Sequence, residues 1–411
     1  MNWVLSSARV PNRSDLVDIF MRDGRLRILP TGQVTPEGWL QWDLEGRLVL
    51  PGLVELHTHL DKTYTDPFNP EGTLMGAIRR FERVSMERTL ADIETNAERA
   101  LRAAIQQGVT RMRTHLVFGD QVHMATLEVM VGLRRRYAEC LDLQLVAMTW
   151  DAMSPETQRL LRTGLQQGFD LLGGAPSLSQ NPRKSVTDLD DLAMRFEVGL
   201  DLHLDEDDSR DSVGLRSLLA HRHLPTGPGK VTASHCCSLA FMPTSERDAL
   251  LHDAAEKGVG LVVLPGCNLV LQGRGHHPVP RGMAPVAAAR AAGMAVAAGV
   301  DNVQDAFNPF GDYDPLQSAR LAAMVGHLGN EGDLSTALDL VTRDAAILFG
   351  GGPALIEDGL VADAVVLDCS DVASAIAEPP ARLATFKRGR LVVKTETQRR
   401  WLPRVGKGAR S

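Results

Sequence analysis

The chain has no long basic run, no membrane-length apolar run and no glycine-rich dinucleotide fingerprint, and each absence removes a class of function. A formal net charge of −7 without a basic tract argues against a nucleic-acid partner. The short cluster Arg134-Arg135-Arg136 reads as a solvated helix face. No stretch approaches the roughly 20 apolar residues of a membrane span. The opening Met1-Asn2-Trp3-Val4 lacks a basic region followed by an apolar core, so no secretory signal is expected. Cysteine is scarce and scattered. Cys140, Cys236, Cys237, Cys267 and Cys369 are odd in number and form neither a zinc-finger spacing nor a disulfide framework. The expectation is a soluble, cytoplasmic homo-oligomer whose partner is a small molecule, with no nucleic acid and no membrane.

What is present suits a large folded enzyme. With 411 residues, 44% of them hydrophobic, the chain can bury a core larger than one small domain needs. The first fifty residues are short β-like runs broken by turns: Trp3–Leu5, Leu16–Met21, Leu26–Leu29 and Leu48–Leu50. Similar runs return at Ala364–Leu367 and Arg390–Val393. Residues 1–50 and 351–411 are therefore expected to build one small β-sandwich domain from both ends of the chain.

Between them, residues 51–350 alternate apolar strands with amphipathic helices. Leu90, Ile93, Ala97, Leu101 and Ile105 recur at helical spacing, and Gly108 stops that helix. Strands are expected at Leu53–His57, Val109–His115, Leu143–Met148, Leu171–Gly173, Val198–Leu204, Val231–His235, Gly260–Leu264 and Ala295–Asp301. Eight βα units in about 250 residues point to a parallel (β/α)₈ barrel rather than an open sheet. The polar stretch Pro176–Val186 should be a loop over the active face.

Barrel enzymes gather their chemistry at the C-terminal ends of strands. Those ends carry His57-Thr58-His59, His115, His203 with Glu206 three residues on, His235 and Asp301. His57 and His59 are two apart, so they share a face of an extended strand. Imidazoles with a carboxylate suit a borderline divalent ion such as zinc or ferrous iron.

At this point the residues resemble a known family. Leu50-Pro51-Gly52-Leu53-Val54-Glu55-Leu56-His57-Thr58-His59-Leu60-Asp61-Lys62 is similar to the first-strand signature of the amidohydrolase superfamily. His203-Leu204-Asp205-Glu206, Thr232-Ala233-Ser234-His235, the Asn268 to Arg274 stretch and Gly299-Val300-Asp301-Asn302 resemble its cytosine deaminase branch. The resemblance implies that His57, His59, His203 and Asp301 hold one divalent metal ion, with a water completing the site. Asp301 would also take a proton from that water, His235 would polarise the oxygen, and Glu206 would protonate a ring nitrogen of the substrate. Binuclear relatives bridge two ions with a carboxylated lysine after strand four. Here that strand reads Leu171-Leu172-Gly173-Gly174-Ala175-Pro176, and the nearest lysine is Lys184, well into the following segment. One metal ion per chain, Zn or Fe(II), is the expected cofactor.

The substrate-reading positions depart from cytosine deaminases. Trp150 stands at or beside the glutamine that pairs with the pyrimidine amide edge, within Ala147-Met148-Thr149-Trp150-Asp151. Asn302 replaces a carboxylate, and Phe307 a tryptophan. With Gln272, these are the expected substrate contacts. Leu60-Asp61-Lys62-Thr63 also resembles the enzymes that take isopropylamine from a hydroxylated triazine. The implied activity is removal of ammonia or an alkylamine from a nitrogen heterocycle. The alternative is cyclic-amide or amide hydrolysis at the same mononuclear site. A non-catalytic barrel is disfavoured, since no ligand and no acid is missing. Other residues stay open: His115 lines the pocket or bonds backbone, and Asp61 and Lys62 form an ion pair or touch substrate. Asp205 and Asp207 read as solvated, Cys236 and Cys237 as apolar packing. His221, His223, His276 and His277 read as surface residues.

Overall fold

The computed structural model describes residues 2–150, 154–227 and 229–396. Residues 397–411, expected in the small domain, lie outside the described residues, as does Asp151. The N-terminal apolar runs are strands: β1 (Trp3–Ala8), β2 (Val17–Arg22), β3 (Arg25–Pro30) and β4 (Leu40–Asp43) make a sheet in the order β3-β2-β1-β4. β4 was not anticipated, because three of its four residues are exposed and it presents no apolar face. The chain then passes through β5 (Leu48–Pro51) into the barrel.

The barrel strands are β6 (Leu53–Thr58), β7 (Val109–Val117), β8 (Asp142–Thr149), β9 (Leu171–Gly174), β10 (Gly199–Leu204), β11 (Val231–His235), β12 (Gly260–Val263) and β13 (Val296–Ala298). Each pairs in parallel with the next, in chain order, among the described residues. Every residue of β6 and β10 is buried, as a parallel sheet covered by helices requires. The helix Leu90–Gln106 shows why these segments fold as they do. Thr89 and Asp92 form a capping box at its start, and Ile93, Ala97, Ala100, Leu101, Ala104 and Ile105 form its buried stripe. Gly108 then turns the chain at φ +94°, where a Cβ would also meet the Val365 side chain at 2.8 Å.

The eighth strand is shorter than its apolar run suggests. After Ala298 the chain leaves the ladder and returns at Asp301, which bridges to Thr58 and closes the barrel. Asp301 N donates to His57 O (2.9 Å), and Thr58 Oγ1 donates to Asp301 O (2.8 Å). The fully buried Glu55 carboxyl accepts from both His57 N and Val300 N at 3.1 Å. Burial pushes its pKa up to about 8, so it sits in the seam as a neutral acid.

The second small sheet runs β16-β15-β14-β5, with β14 (Ala364–Leu367), β15 (Arg382–Lys387) and β16 (Arg390–Lys394). Of the two small sheets this one mixes the two ends of the chain, through β5, while the first is wholly N-terminal; a bridge from Arg25 to Val361 and a backbone hydrogen bond from Leu26 N to Leu360 O tie the ends together again. One apolar cluster joins the two sheets and includes Leu5, Ile19, Val49, Val366 and Phe386. β15 is hidden in the sequence by its terminal charges. Arg382 is buried in an ion pair with Asp314, and Lys387 Nζ bonds Asp363 (2.7 Å), Asp142 (2.8 Å) and Thr110 O (3.0 Å). The last two contacts fasten the small sheet to barrel strands β7 and β8. Pro176–Val186 is not one loop: a short 3-10 turn covers Pro176–Leu178, and a helix starts at Pro182, capped by Asn181. Pro at the first helical position needs no backbone N–H, which is why a polar stretch becomes a helix there. No helix of the described residues is long and apolar enough to cross a membrane.

Candidate metal centre and substrate cavity

Three strand ends bring the four expected ligands to one point. His57 Nε2 and His59 Nε2 each lie 3.1 Å from His203 Nε2. Asp301 Oδ1 lies 3.2 Å from His59 Nε2 and 3.5 Å from His57 Nε2. Burial lowers the pKa of all three histidines well below the usual range, and neighbouring charges add to this. Neutral imidazole is the form that binds metal.

Hydrogen bonding shows which nitrogens are available. His59 Nδ1 lies between the His115 carbonyl (3.3 Å) and the Lys62 ammonium (3.1 Å). His57 Nδ1 lies 2.9 Å from Ser234 Oγ. The Nε2 atoms of the three rings converge on the Asp301 carboxylate, whose buried Oδ1 has no hydrogen-bond partner. Lone pairs and a carboxylate packed this closely, away from water, repel unless a cation lies among them. The donor set fits a divalent ion such as zinc.

His235 differs from the other three. The Asn268 amide nitrogen lies 3.0 Å from its Nδ1, which therefore accepts and leaves Nε2 carrying the proton. His235 Nε2 lies 4.0 Å from Asp301 Oδ2, and His57, His203, His235 and Asp301 offer ligand atoms within 4.8 Å of one another. Burial lowers the His235 pKa to about 4. Beside it, 3.4 Å from Nδ1, lies Glu206 Oε1. Burial, followed by the nearby Asp301 charge, raises the Glu206 pKa well above the ordinary carboxyl range. His235 and Asp301 both adopt left-handed backbone (φ 67° and 61°), as does Asp205 (φ 50°). Strained non-glycine residues at strand ends, each costing roughly 1–3 kcal/mol, are a feature of functional sites.

The cavity in front of this cluster has two unlike walls. One is polar: His59, Lys62, His203, Glu206, His235 and Asp301. The other is apolar: Leu74 and Ile78 from the helix Leu74–Glu87, then Met148, Ala175 and Leu178, with Phe307 beside them. Trp150 stands at the rim, 45% exposed. A roomier surface groove of about 710 Å³, around Tyr64, Glu98, Arg99 and Arg102, shares none of these residues.

Lys62 is 3% exposed, and its ammonium lies over the rings of Phe81 (5.2 Å) and Phe307 (5.6 Å). Asp61 Oδ1 is 3.9 Å away, while Asp61 Oδ2 accepts from Val117 N (2.9 Å). The pair therefore shapes the cavity, with the cation facing it. Asn302 lines the cavity and donates to Asp305 Oδ2 (2.6 Å). Burial raises the Asp305 pKa to about 7. Gln272 is outside the lining: its amide donates to the Glu206 carbonyl (3.4 Å) and braces the acid from behind.

Other residues fall out as follows. Asp205 is not solvated. It is buried and accepts from Ser212 Oγ, Gly214 N and Leu215 N at 2.7–2.9 Å, anchoring the start of the helix Val213–Leu219. A carboxylate that satisfies orphan N–H groups at a helix start belongs inside. His115 neither lines the cavity nor rests on backbone: its ring stacks on His57 (centroids 4.1 Å apart) and its Nε2 meets Asp201 (3.2 Å). Cys236 and Cys237 pack in the interior. His221 pairs with Asp190 and His276 with Asp208, while His223 and His277 are exposed. Sequence reasoning missed Leu74 and Ile78; the apolar spacing of Leu74, Ile78 and Phe81 was the available signal.

The comparisons agree with this geometry. Residues 68–394 match the Amidohydrolase family. The chain is 31% identical over 399 residues to a pterin deaminase of Rhizobium rhizogenes, covering 91% of this chain and 87% of that protein. It is similar to the crystal structure of 5-methylcytosine deaminase from Klebsiella pneumoniae, with a TM-score of 0.87 at 26% identity, covering 98% and 100% of the two chains. It is also similar to N-isopropylammelide isopropylaminohydrolase from Burkholderia multivorans, with a TM-score of 0.84 at 29% identity, covering 96% and 98%. The chain therefore belongs to the amidohydrolase family, as an enzyme that hydrolyses carbon–nitrogen bonds other than peptide bonds.

Proposed function

We propose that this enzyme is a mononuclear metal-dependent deaminase that removes ammonia or an alkylamine from a nitrogen heterocycle. The observation that carries the proposal is Glu206. It is a carboxyl group in the cavity lining beside the proposed metal ligands, 3.4 Å from His235 Nδ1, with its pKa raised by burial well above the ordinary carboxyl range. Hydrolysis at an aminated ring carbon needs an acid at the adjacent ring nitrogen, and Glu206 supplies it.

His57, His59, His203 and Asp301 would hold the ion, Zn or Fe(II), which lowers the pKa of a water so that hydroxide exists near neutral pH. Asp301 takes the proton released by the attacking water. The His235 Nε2–H steadies the attacking oxygen. Glu206 donates its proton to the ring nitrogen, passes the proton held by Asp301 on to the departing amine, and is reprotonated by the new hydroxyl as the ring carbonyl forms. One ion per chain suits a fourth strand that ends in Gly173-Gly174. Lys184, the first lysine after that strand in the sequence, is exposed and paired with Asp188 (2.6 Å).

The apolar wall favours a ring larger than a bare pyrimidine, either bicyclic or N-alkylated. Trp150, Phe307 and Asn302 would contact it, with Gln272 acting through Glu206. Lys62 would face an acceptor oxygen or ring anion. The pterin deaminase and the isopropylaminohydrolase among the relatives support both kinds of substrate. In this reading residues 51–350 carry the chemistry, while 1–50 and 351–411 form a supporting domain of a cytoplasmic homo-oligomer. The test is a panel of pterin, N-isopropylammelide, 5-methylcytosine and cytosine, assayed for released ammonia or amine with the ring intact. Ring-opened carboxylate products, the mark of cyclic-amide hydrolysis, would overturn the proposal.

A further inference from the structure

Behind the metal ligands lies a second buried set of polar side chains that the chemistry above does not use. His57, His115 and Asp201 place ligand-type atoms within 4.8 Å of one another, which resembles a second metal site. Arg113 decides against that. Its Nη1 lies 2.6 Å from Asp201 Oδ2, both groups are fully buried, and a dication there would face a guanidinium.

The set is instead a hydrogen-bonded chain. Arg113 donates through Nε to Gln144 Oε1 (3.0 Å), through Nη1 to Asp201 and Thr232 Oγ1 (3.2 Å), and through Nη2 to Leu348 O (2.7 Å). Asp201 Oδ1 lies 3.1 Å from Ser234 Oγ, and that oxygen lies 2.9 Å from His57 Nδ1. A hydroxyl has one proton, and a carboxylate paired with arginine can only accept. The Ser234 proton therefore points at Asp201, and its oxygen accepts from His57 Nδ1–H.

We propose that Ser234, oriented by Asp201 and Arg113, sets the tautomer of His57 and so presents its Nε2 lone pair to the metal. Ser234 is a positioning residue, and the proposal rests on the metal-site reading above. Among the three imidazoles the dependence is specific to His57. His59 Nδ1 meets the His115 carbonyl (3.3 Å) and Lys62 Nζ (3.1 Å), and neither Ser234 nor Asp201 touches it. His203 Nδ1 has no hydrogen-bond partner among the described residues. Partners of this kind typically change metal affinity about 10–100-fold.

The test is zinc affinity of the whole protein, measured against a chromophoric chelator, for wild type, Ser234→Ala and Asp201→Asn. Ring ¹⁵N shifts of His57 in the metal-free proteins are read in parallel. Both variants should bind zinc roughly 10–100-fold more weakly, and His57 should change from one Nδ1–H tautomer to a mixture. If wild type binds no zinc, the metal-site reading itself falls. If wild type binds and the variants match it within about twofold, only the Ser234 proposal falls. Weaker binding with an unchanged His57 tautomer also overturns it. Should Ser234→Ala not fold, Asp201→Asn, which keeps the hydroxyl and weakens its acceptor, decides the question by the same readings.

Discussion

Asp301 N donates to His57 O at 2.9 Å across the seam where the last barrel strand meets the first. The bond that closes the barrel is thus also the bond that sets two of the proposed metal ligands side by side. Fold stability and ligand geometry are coupled at this point, and Glu55 sits beneath both.

That coupling predicts an asymmetric response at Glu55. Glu55→Gln keeps a side-chain oxygen to accept from His57 N and Val300 N and should lose about 1 kcal/mol or less. Glu55→Ala leaves two buried N–H groups bare and should cost roughly 2–6 kcal/mol, at about 1–3 kcal/mol per group. Urea unfolding of both variants is the check. Equal losses would mean that the acceptor oxygen is not what holds the seam.

Metal content should be about one ion per chain in fully active, reconstituted protein. Chelation should abolish activity, and zinc or ferrous iron should restore it. Elemental analysis near two ions per chain at full activity would refute the single-ion proposal.

Glu206→Gln should bind metal as the wild type does and unfold at the same denaturant concentration, yet lose roughly two or more orders of magnitude in kcat. Glutamine fills the same space but cannot deliver a proton to a ring nitrogen. Turnover close to wild type would remove the acid role.

Lys387→Met should destabilise the protein by roughly 3–5 kcal/mol, because it strands Asp363 and Asp142 beside barrel strands without their cation. Burial raises the Asp142 pKa, but Lys387 and Arg388 outweigh it and leave the net value lowered. A depressed folded pKa means stability that is present above the unfolded value, about 3.9, and is lost as pH falls through the folded value. The variant should therefore lose less stability than wild type on acidification below about pH 4. Unfolding curves at several pH values measure this, and identical acid slopes would exclude the linkage.

Cytosine should be a poor substrate. Trp150 can donate but cannot accept, so an amide edge in the cavity would forgo a paired contact. One lost buried hydrogen bond costs roughly 1–3 kcal/mol, or about one to two decades in kcat/KM. Efficiency on cytosine equal to that on the best pterin or triazine would show that Trp150 does not discriminate.

The proposed ligands and acid were legible as candidates because each lies at or just past the C-terminal end of an apolar strand, and strand position dictates direction in a barrel. The buried charges were not. Arg113, Asp201 and Lys387 have the composition of surface residues, and only their partners, up to 277 positions away in the chain, make burial tolerable. Lys62 was visible as a charge beside the ligands, but its place against Phe81 and Phe307 depends on two distant segments meeting it.

Periodicity and strand-end chemistry in the sequence were enough to determine eight βα units and that His57, His59, His203, His235 and Asp301 gather at one end of the barrel, because both follow from local backbone geometry. The tertiary structure alone decided which imidazole nitrogen carries a proton, which carboxyl stays neutral and which wall of the cavity is apolar. Those properties depend on burial and on hydrogen-bond partners that come together only when the barrel closes.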